Sequence, residues 1–331
     1  MKNIPMRVYL NIQACMRSIS CLHTIPVFLV CSMLLSPTTV SAETDWYPSA
    51  YGADDRIGAL NNLSPEIVVG AAGLVKTGKV YSLAVETNES SRDKYGRFYR
   101  VKSYPMTPSK IGPNDFTANE SLIITNDGLG TTIDGFAHPG LGRRYYNGAT
   151  EKEVLSGNLT GVLLYGMESI PPIVSRGLLL DMAAHYKVDM LSAGIEFNSA
   201  EIKAAARSQG LEIRKGDVII FHTGWLPKLW NDTDTYMATQ PGLGVDGARY
   251  LVKKGVALVG IDARTIEAHP ATYEEIAPVH QELITKNGVH IIEHMDTREL
   301  HKDGADEFLF VLGIPKLRGA VQGIINPIAI K

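Results

Sequence analysis

The sequence predicts an α/β fold, and three observations carry that expectation. Short apolar runs of strand length recur at residues 177–182 (GLLLDM), 217–222 (DVIIFH) and 256–262 (VALVGID). Capped segments with helical spacing stand between them, and no shift in composition parts the chain into two domains. The 331 residues are 45% hydrophobic and 20% charged, enough chain for a substantial core. The balance of 32 basic against 35 acidic residues argues against a nucleic-acid binder, which is usually strongly basic. High hydrophobicity at low net charge excludes a disordered chain.

The elements follow in order. Residues 1–42 hold Lys2, Arg7 and Arg17 but no Asp or Glu, then an apolar run at 25–35 and an A-x-A-like end. That is the pattern of a secretory signal, so the expected location is secreted or periplasmic. The run is too short for a membrane-spanning helix. All three cysteines (Cys15, Cys21, Cys31) lie in this segment, so the mature chain would have no thiol chemistry and no disulfide. Residues 43–64 read as an N-terminal arm and 65–331 as one domain. Ser64-Pro65 caps a helix, and 80–86 reads as a strand. Residues 90–113, rich in polar residues and prolines, read as a long loop. A strand is expected at 121–125. After the Gly-rich stretch 126–140, helices are expected at 199–209, 247–254 and 279–286, each ended by glycine or Asn-Gly. They alternate with the three buried strands and with strands at 289–293, 308–312 and 324–330.

Three constellations could carry chemistry. Asp134 and His138, at i and i+4 among flexible glycines, could act as acid and base or bind a metal; equally, they could cap a turn and bond a backbone carbonyl. His280 and Glu293, at a helix start and a strand end, suit Zn²⁺ or Mn²⁺, or are surface groups. His222 and Thr223 follow a buried strand, where α/β sites gather, or belong to a packed turn with Trp225. Arg143-Arg144 could grip an anionic substrate. His269, His290, His294 and His301 read as surface or packing residues. There is no Walker loop, nucleophile elbow or H-E-x-x-H.

Taken together, GTTIDGFAH, YYNG, RGLLLDMAAHYKVDML, GDVIIFHTGW, VGIDARTIEAHP, PVHQELI and FLFVLGIPKLRGAVQGIINPIAI resemble the cyclase family that includes bacterial kynurenine formamidase and isatin hydrolase. The resemblance runs from about Trp46 to Lys331. It implies a swivelling β/β/α barrel-like fold, a single domain and a homodimer or larger homo-oligomer. The family fingerprint is H-x-x-x-H-x-D-x-x-x-H, in which the first two His and the Asp bind metal and the last His is catalytic. Here the Asp is Asp134 and the last His is His138, and a later ligand pair matches His280 and Glu293. The two leading His positions fall on Gly128 and Thr132, so this chain is a variant that lacks both.

The resemblance therefore implies a hydrolase acting on the C–N bond of a small aromatic or cyclic amide, similar to an arylformamidase of tryptophan catabolism acting on N-formylkynurenine. One divalent metal (Zn or Mn) would be held by Asp134, His280 and Glu293. His138 would be the acid/base, and Thr131, Thr132 and His222 would face the substrate or its oxyanion. The alternatives are a metal-free lyase, dehydratase or cyclase built on Asp134 and His138, or a periplasmic ligand-binding protein without catalysis. The expected partner is a small molecule, with no nucleic acid and no membrane.

Overall fold

The computed structural model describes residues 46–331 except 108, 156 and 159. Residues 1–42, where a secretory signal is expected, lie outside the described residues together with all three cysteines. Thirteen strands are present among the described residues: β1 Val80–Ser82, β2 Tyr99–Pro105, β3 Asn119–Thr125, β4 Thr132–Asp134, β5 Ile173–Asp181, β6 Glu196–Phe197, β7 Val218–His222, β8 Gly242–Leu243, β9 Leu258–Ile261, β10 His290–Glu293, β11 Glu307–Leu312, β12 Gln322–Ile324 and β13 Ile328–Ile330. Nine form one sheet in the order β1-β13-β11-β5-β7-β9-β10-β4-β12. The middle strands β5, β7, β9 and β10 are parallel, and the flanking strands pair antiparallel.

The parallel strands are apolar on both faces because both are covered. Along β7, Ile219 and Phe221 join one buried cluster while Val218 and Ile220 join the other. The helices Ser199–Ser208 and Val245–Lys254 place Ile202, Ala205 and Leu251 in the first cluster. Asn198 and Glu201 cap the start of the former in a reciprocal box. Gly255, at φ 73, ends the latter, where a side chain would be strained. Helix Pro65–Ala72 begins at Ser64, whose hydroxyl accepts the Ile67 N–H. No helix among the described residues is long and apolar enough to cross a membrane.

The loop expected at 90–113 is corrected. It contains β2, which pairs with β3 in a separate two-stranded sheet, Val101 opposite Ile123. Prolines at 105, 108 and 113 suggested a loop, but Pro105 closes the strand at an edge where no ladder donor is required. Cross-strand Tyr, Val and Ile pairs supply the sheet contacts.

Candidate active site

β4 and β10 lie side by side, with Ile291 opposite Asp134 and Thr132 opposite Glu293. In this antiparallel register Asp134 and Glu293 are diagonal neighbours on one face of the pair. His280 arrives from the chain just before β10. Ala277, in the left-handed region at φ 53, turns the backbone, and Pro278 takes the first helical position. The helix Pro278–His280 then widens into a π turn, Gln281–Lys286.

The His280 imidazole is clamped between carboxylates. Its Nδ1 lies 2.8 Å from both carboxylate oxygens of Glu267, which also accepts the His280 backbone N–H at 2.8 Å. Its Nε2 lies 3.3 Å from Asp134 Oδ2 and 3.3 Å from Glu293 Oε1. All four groups are buried. Burial disfavours charge on His280, yet Glu267, Asp134 and Glu293 outweigh it and hold the imidazole well above its ordinary pKa. Burial likewise raises Asp134, but His138 and His280 bring it down to about 2. Burial and the neighbouring Asp134 push Glu293 up to about 6. Burial lowers His138 against the pull of Asp134, which keeps that imidazole neutral at neutral pH.

The residues fit a divalent cation. Asp134 Oδ1 accepts from Gln322 Nε2, but Oδ2 is buried with no hydrogen-bond partner. Buried carboxylate oxygens are normally satisfied, and a metal ion satisfies one that hydrogen bonds leave over. Asp134, His138 and His280 each offer a ligand atom, all within 4.8 Å of one another. The donor set also carries three carboxylates against one clamped imidazole, an excess of negative charge. The expected trio of Asp134, His280 and Glu293 is thus brought together around His280. His138 also stands within ligand reach, and Glu293 Oε1 additionally accepts the Ile266 N–H at 3.0 Å.

The two missing histidines have a physical account. A Cβ on Gly128 would meet Gln322 Oε1 at 2.5 Å and Arg97 Nη1 at 2.7 Å. Arg97 donates to the Gly128 carbonyl. A guanidinium and an amide therefore crowd the place of the first His, and Thr132 is buried within β4.

A cavity of about 600 Å³ opens here, lined among others by Arg97, His138, Arg264, Glu267, His280 and Glu293. Thr131, Thr132 and His222, expected to face the substrate or its oxyanion, do not line this cavity. Thr131 Oγ1 is spent inside the fold, accepting the Val85 N–H at 2.9 Å and donating to the His294 carbonyl at 2.6 Å. His222 ends β7 opposite Asp181 and stacks on His301 at 4.2 Å, with Nδ1 2.7 Å from Thr297 Oγ1. His290 is buried, and His294 is half-buried and lines the cavity. His269, expected at the surface or in packing, lines the cavity.

Sequence reasoning missed Glu267, Gln322, Arg97 and Arg264. The first and last follow strand β9, where loops of α/β sheets gather their sites, and that signal could have found them. Nothing local marks Gln322 or Arg97.

A family model described as Putative cyclase matches residues 39–268. Among solved structures, one titled a novel cyclase is 26% identical, with 85% of this chain and 96% of that chain covered at a TM-score of 0.77. Isatin hydrolase A from Ralstonia solanacearum is 14% identical, covering 81% and 97% at 0.57. A predicted metal-dependent hydrolase from Bacillus stearothermophilus is 20% identical, covering 76% and 97% at 0.50. The last two likenesses are likenesses of fold. No curated protein matches the chain.

Proposed function

Since the chain belongs to the Putative cyclase family, we propose that it is a hydrolase that opens the C–N bond of a small aromatic or cyclic amide, with arylformamidase-like action on N-formylkynurenine as the first substrate to try. The observation that carries the reading is the buried Asp134 Oδ2, which no hydrogen bond satisfies and which faces His280 Nε2 at 3.3 Å, beside a cavity of ligand size. Asp134 and His280 would hold one divalent ion, with Glu293 completing its shell and His138 left free as the base. Bound there, such an ion supplies Lewis acidity and lowers the pKa of water.

The chain's own groups have distinct tasks. Glu267 keeps His280 Nδ1 engaged, so Nε2 presents to Asp134. Gln322 holds the other oxygen of Asp134 and fixes the carboxylate plane. His138, neutral through burial, accepts a proton from the attacking water. The water oxygen bonds to the carbonyl carbon, the C–N bond breaks, and His138 returns the proton to the leaving nitrogen. The products are a carboxylic acid and an amine.

The crowding of Gly128 by Arg97 and Gln322 favours a second reading, metal-free proton abstraction in a lyase, dehydratase or cyclase, with Asp134 orienting His138. Turnover of N-formylkynurenine, isatin and simple anilides, before and after dialysis against a chelator, separates the two. We expect about one retained ion per chain and turnover that stops on chelation. Turnover indifferent to chelation supports the metal-free reading, and binding with no turnover of any amide overturns the hydrolase. We also propose export through residues 1–42 and assembly as a homo-oligomer. The exposed apolar side chains of β2 and β3, Leu122 and Ile123 among them, support the latter, and sedimentation tests it.

A further inference from the structure

The cavity that admits His138 and His280 also admits Arg264. Arg264 is only 5% exposed, and its Nε is buried without a hydrogen-bond partner. Among the described residues, no carboxylate lies within ion-pair distance of its guanidinium. The carboxylates that line this cavity face other cations. Arg97 faces Asp93 at 3.6 Å, and Glu267 and Glu293 face His280. The imidazoles of His269 and His294, which line the same cavity, carry no negative charge to offer it.

A buried charge without a partner is costly, and such a cost persists where a ligand supplies the opposite charge. A guanidinium also offers a planar fork of donors that matches a carboxylate. Arg264 stands three residues before Glu267, so one loop after β9 presents both this cation and the clamp on His280.

We propose that Arg264 is an anion subsite that pairs with a carboxylate borne by the substrate, apart from the bond that is cut. The proposal rests on the hydrolase reading for its chemistry, and narrows the substrate class to amides or lactams that carry a free carboxylate. It does not rest on that reading for binding.

The test is calorimetric titration of the purified protein, its Arg264→Gln variant and its Arg264→Lys variant with benzoate and with benzamide. We expect wild type to prefer benzoate, and Arg264→Gln to bind benzoate more weakly by about tenfold or more while benzamide changes less than about twofold. Arg264→Lys should retain part of the preference, because it keeps the charge and loses the fork. The melting temperature of Arg264→Gln should not fall, since no internal partner is lost. Benzoate bound alike by wild type and Arg264→Gln, as when a metal or another cation holds it, overturns the proposal. Benzoate bound by neither, or an Arg264→Gln protein that does not fold, overturns it too. Intact benzoate selectivity in a protein that cleaves no amide overturns the hydrolase reading and leaves the subsite standing.

Discussion

Two sets of histidine and carboxylate lie at strand ends of the same sheet. In one, Asp134, Glu267 and Glu293 surround His280, with His138 alongside. In the other, Asp181 and Asp262 flank His222 and His301. The residue types are alike, and both sets bring ligand atoms within 4.8 Å. What differs is what remains unsatisfied. Asp262 accepts from the Thr223 and Gly224 backbone and from the Thr223 hydroxyl. Asp181 accepts the Ala184 N–H and faces His301 Nδ1 at 2.9 Å. His222 is held by Thr297 and stacks on His301. The Asp134 set instead keeps a buried carboxylate oxygen that no hydrogen bond satisfies, with only His280 Nε2 facing it at 3.3 Å, beside a cavity of about 600 Å³ against about 260 Å³ at His301. Donors and acceptors that are all used inside the fold stabilise it; one left over is available to a ligand.

The largest expected contrast is catalytic. His138→Ala should lower amide turnover by about 10²–10⁴-fold, the usual worth of a general acid–base, whereas His301→Ala should leave kcat within about twofold. Steady-state kinetics on the two variants checks it, and an equal loss in both would erase the distinction. Metal content sharpens the same point. Dialysed protein should retain its ion in Asp181→Asn and lose it in His280→Ala, as read by elemental analysis. A second ion that disappears with Asp181→Asn would make the two sets equivalent. Glu267→Gln, which keeps the shape of the clamp but removes its charge, should weaken metal affinity by about 10–100-fold, measured by competition with a chromogenic chelator.

Stability gives the smaller effects. His290 donates Nδ1–H to the Asp134 carbonyl and stacks on Phe136 at 4.2 Å. Burial lowers its pKa from 6.5 to about 4, so it folds in the neutral form. An unfolded chain binds the extra proton first as the pH falls. The stability carried by neutral His290 is therefore complete above about 6.5 and is lost as the pH drops toward 4, by about 3 kcal/mol. Denaturant melts at pH 7 and pH 4.5 should show a smaller acid loss in His290→Gln than in wild type. The smallest effect belongs to the second set. Asp181→Ala removes the cap of the helix Met182–His185 and should cost about 1 kcal/mol, read as a lower denaturation midpoint with turnover unchanged.

Much of the frame could be read along the chain. The cap at Ser64-Pro65, the helix stop at Gly255 and the apolar runs that became β5, β7 and β9 are local signals, and each stands close to where it was expected. The hairpin of β2 and β3 was not legible. Its prolines masked a pairing partner some twenty residues away. In the site, the spacing of Asp134 and His138 raised one pair, the helix start and strand end raised His280 and Glu293, and the family resemblance joined the two pairs. His222 was raised because the end of β7 is a favoured place for a site, and it does not line the cavity beside Asp134. Glu267 and Gln322 reach Asp134 and His280 from distant segments, and no spacing reports such contacts.

What the sequence alone determined is therefore the alternation of strands and helices, where several of them stop, the family, and which residue types could ligate or transfer protons. Those follow from interactions within a few residues, such as caps, turn glycines and side-chain periodicity. Only the tertiary structure decided which of two like His–carboxylate sets retains an unused oxygen, that Arg97 and Gln322 crowd the place of a missing histidine, and that Arg264 is buried without a counter-charge. Satisfaction of a buried polar group is a sum over partners that folding brings from anywhere in the chain, so its shortfall is a property of the packed molecule.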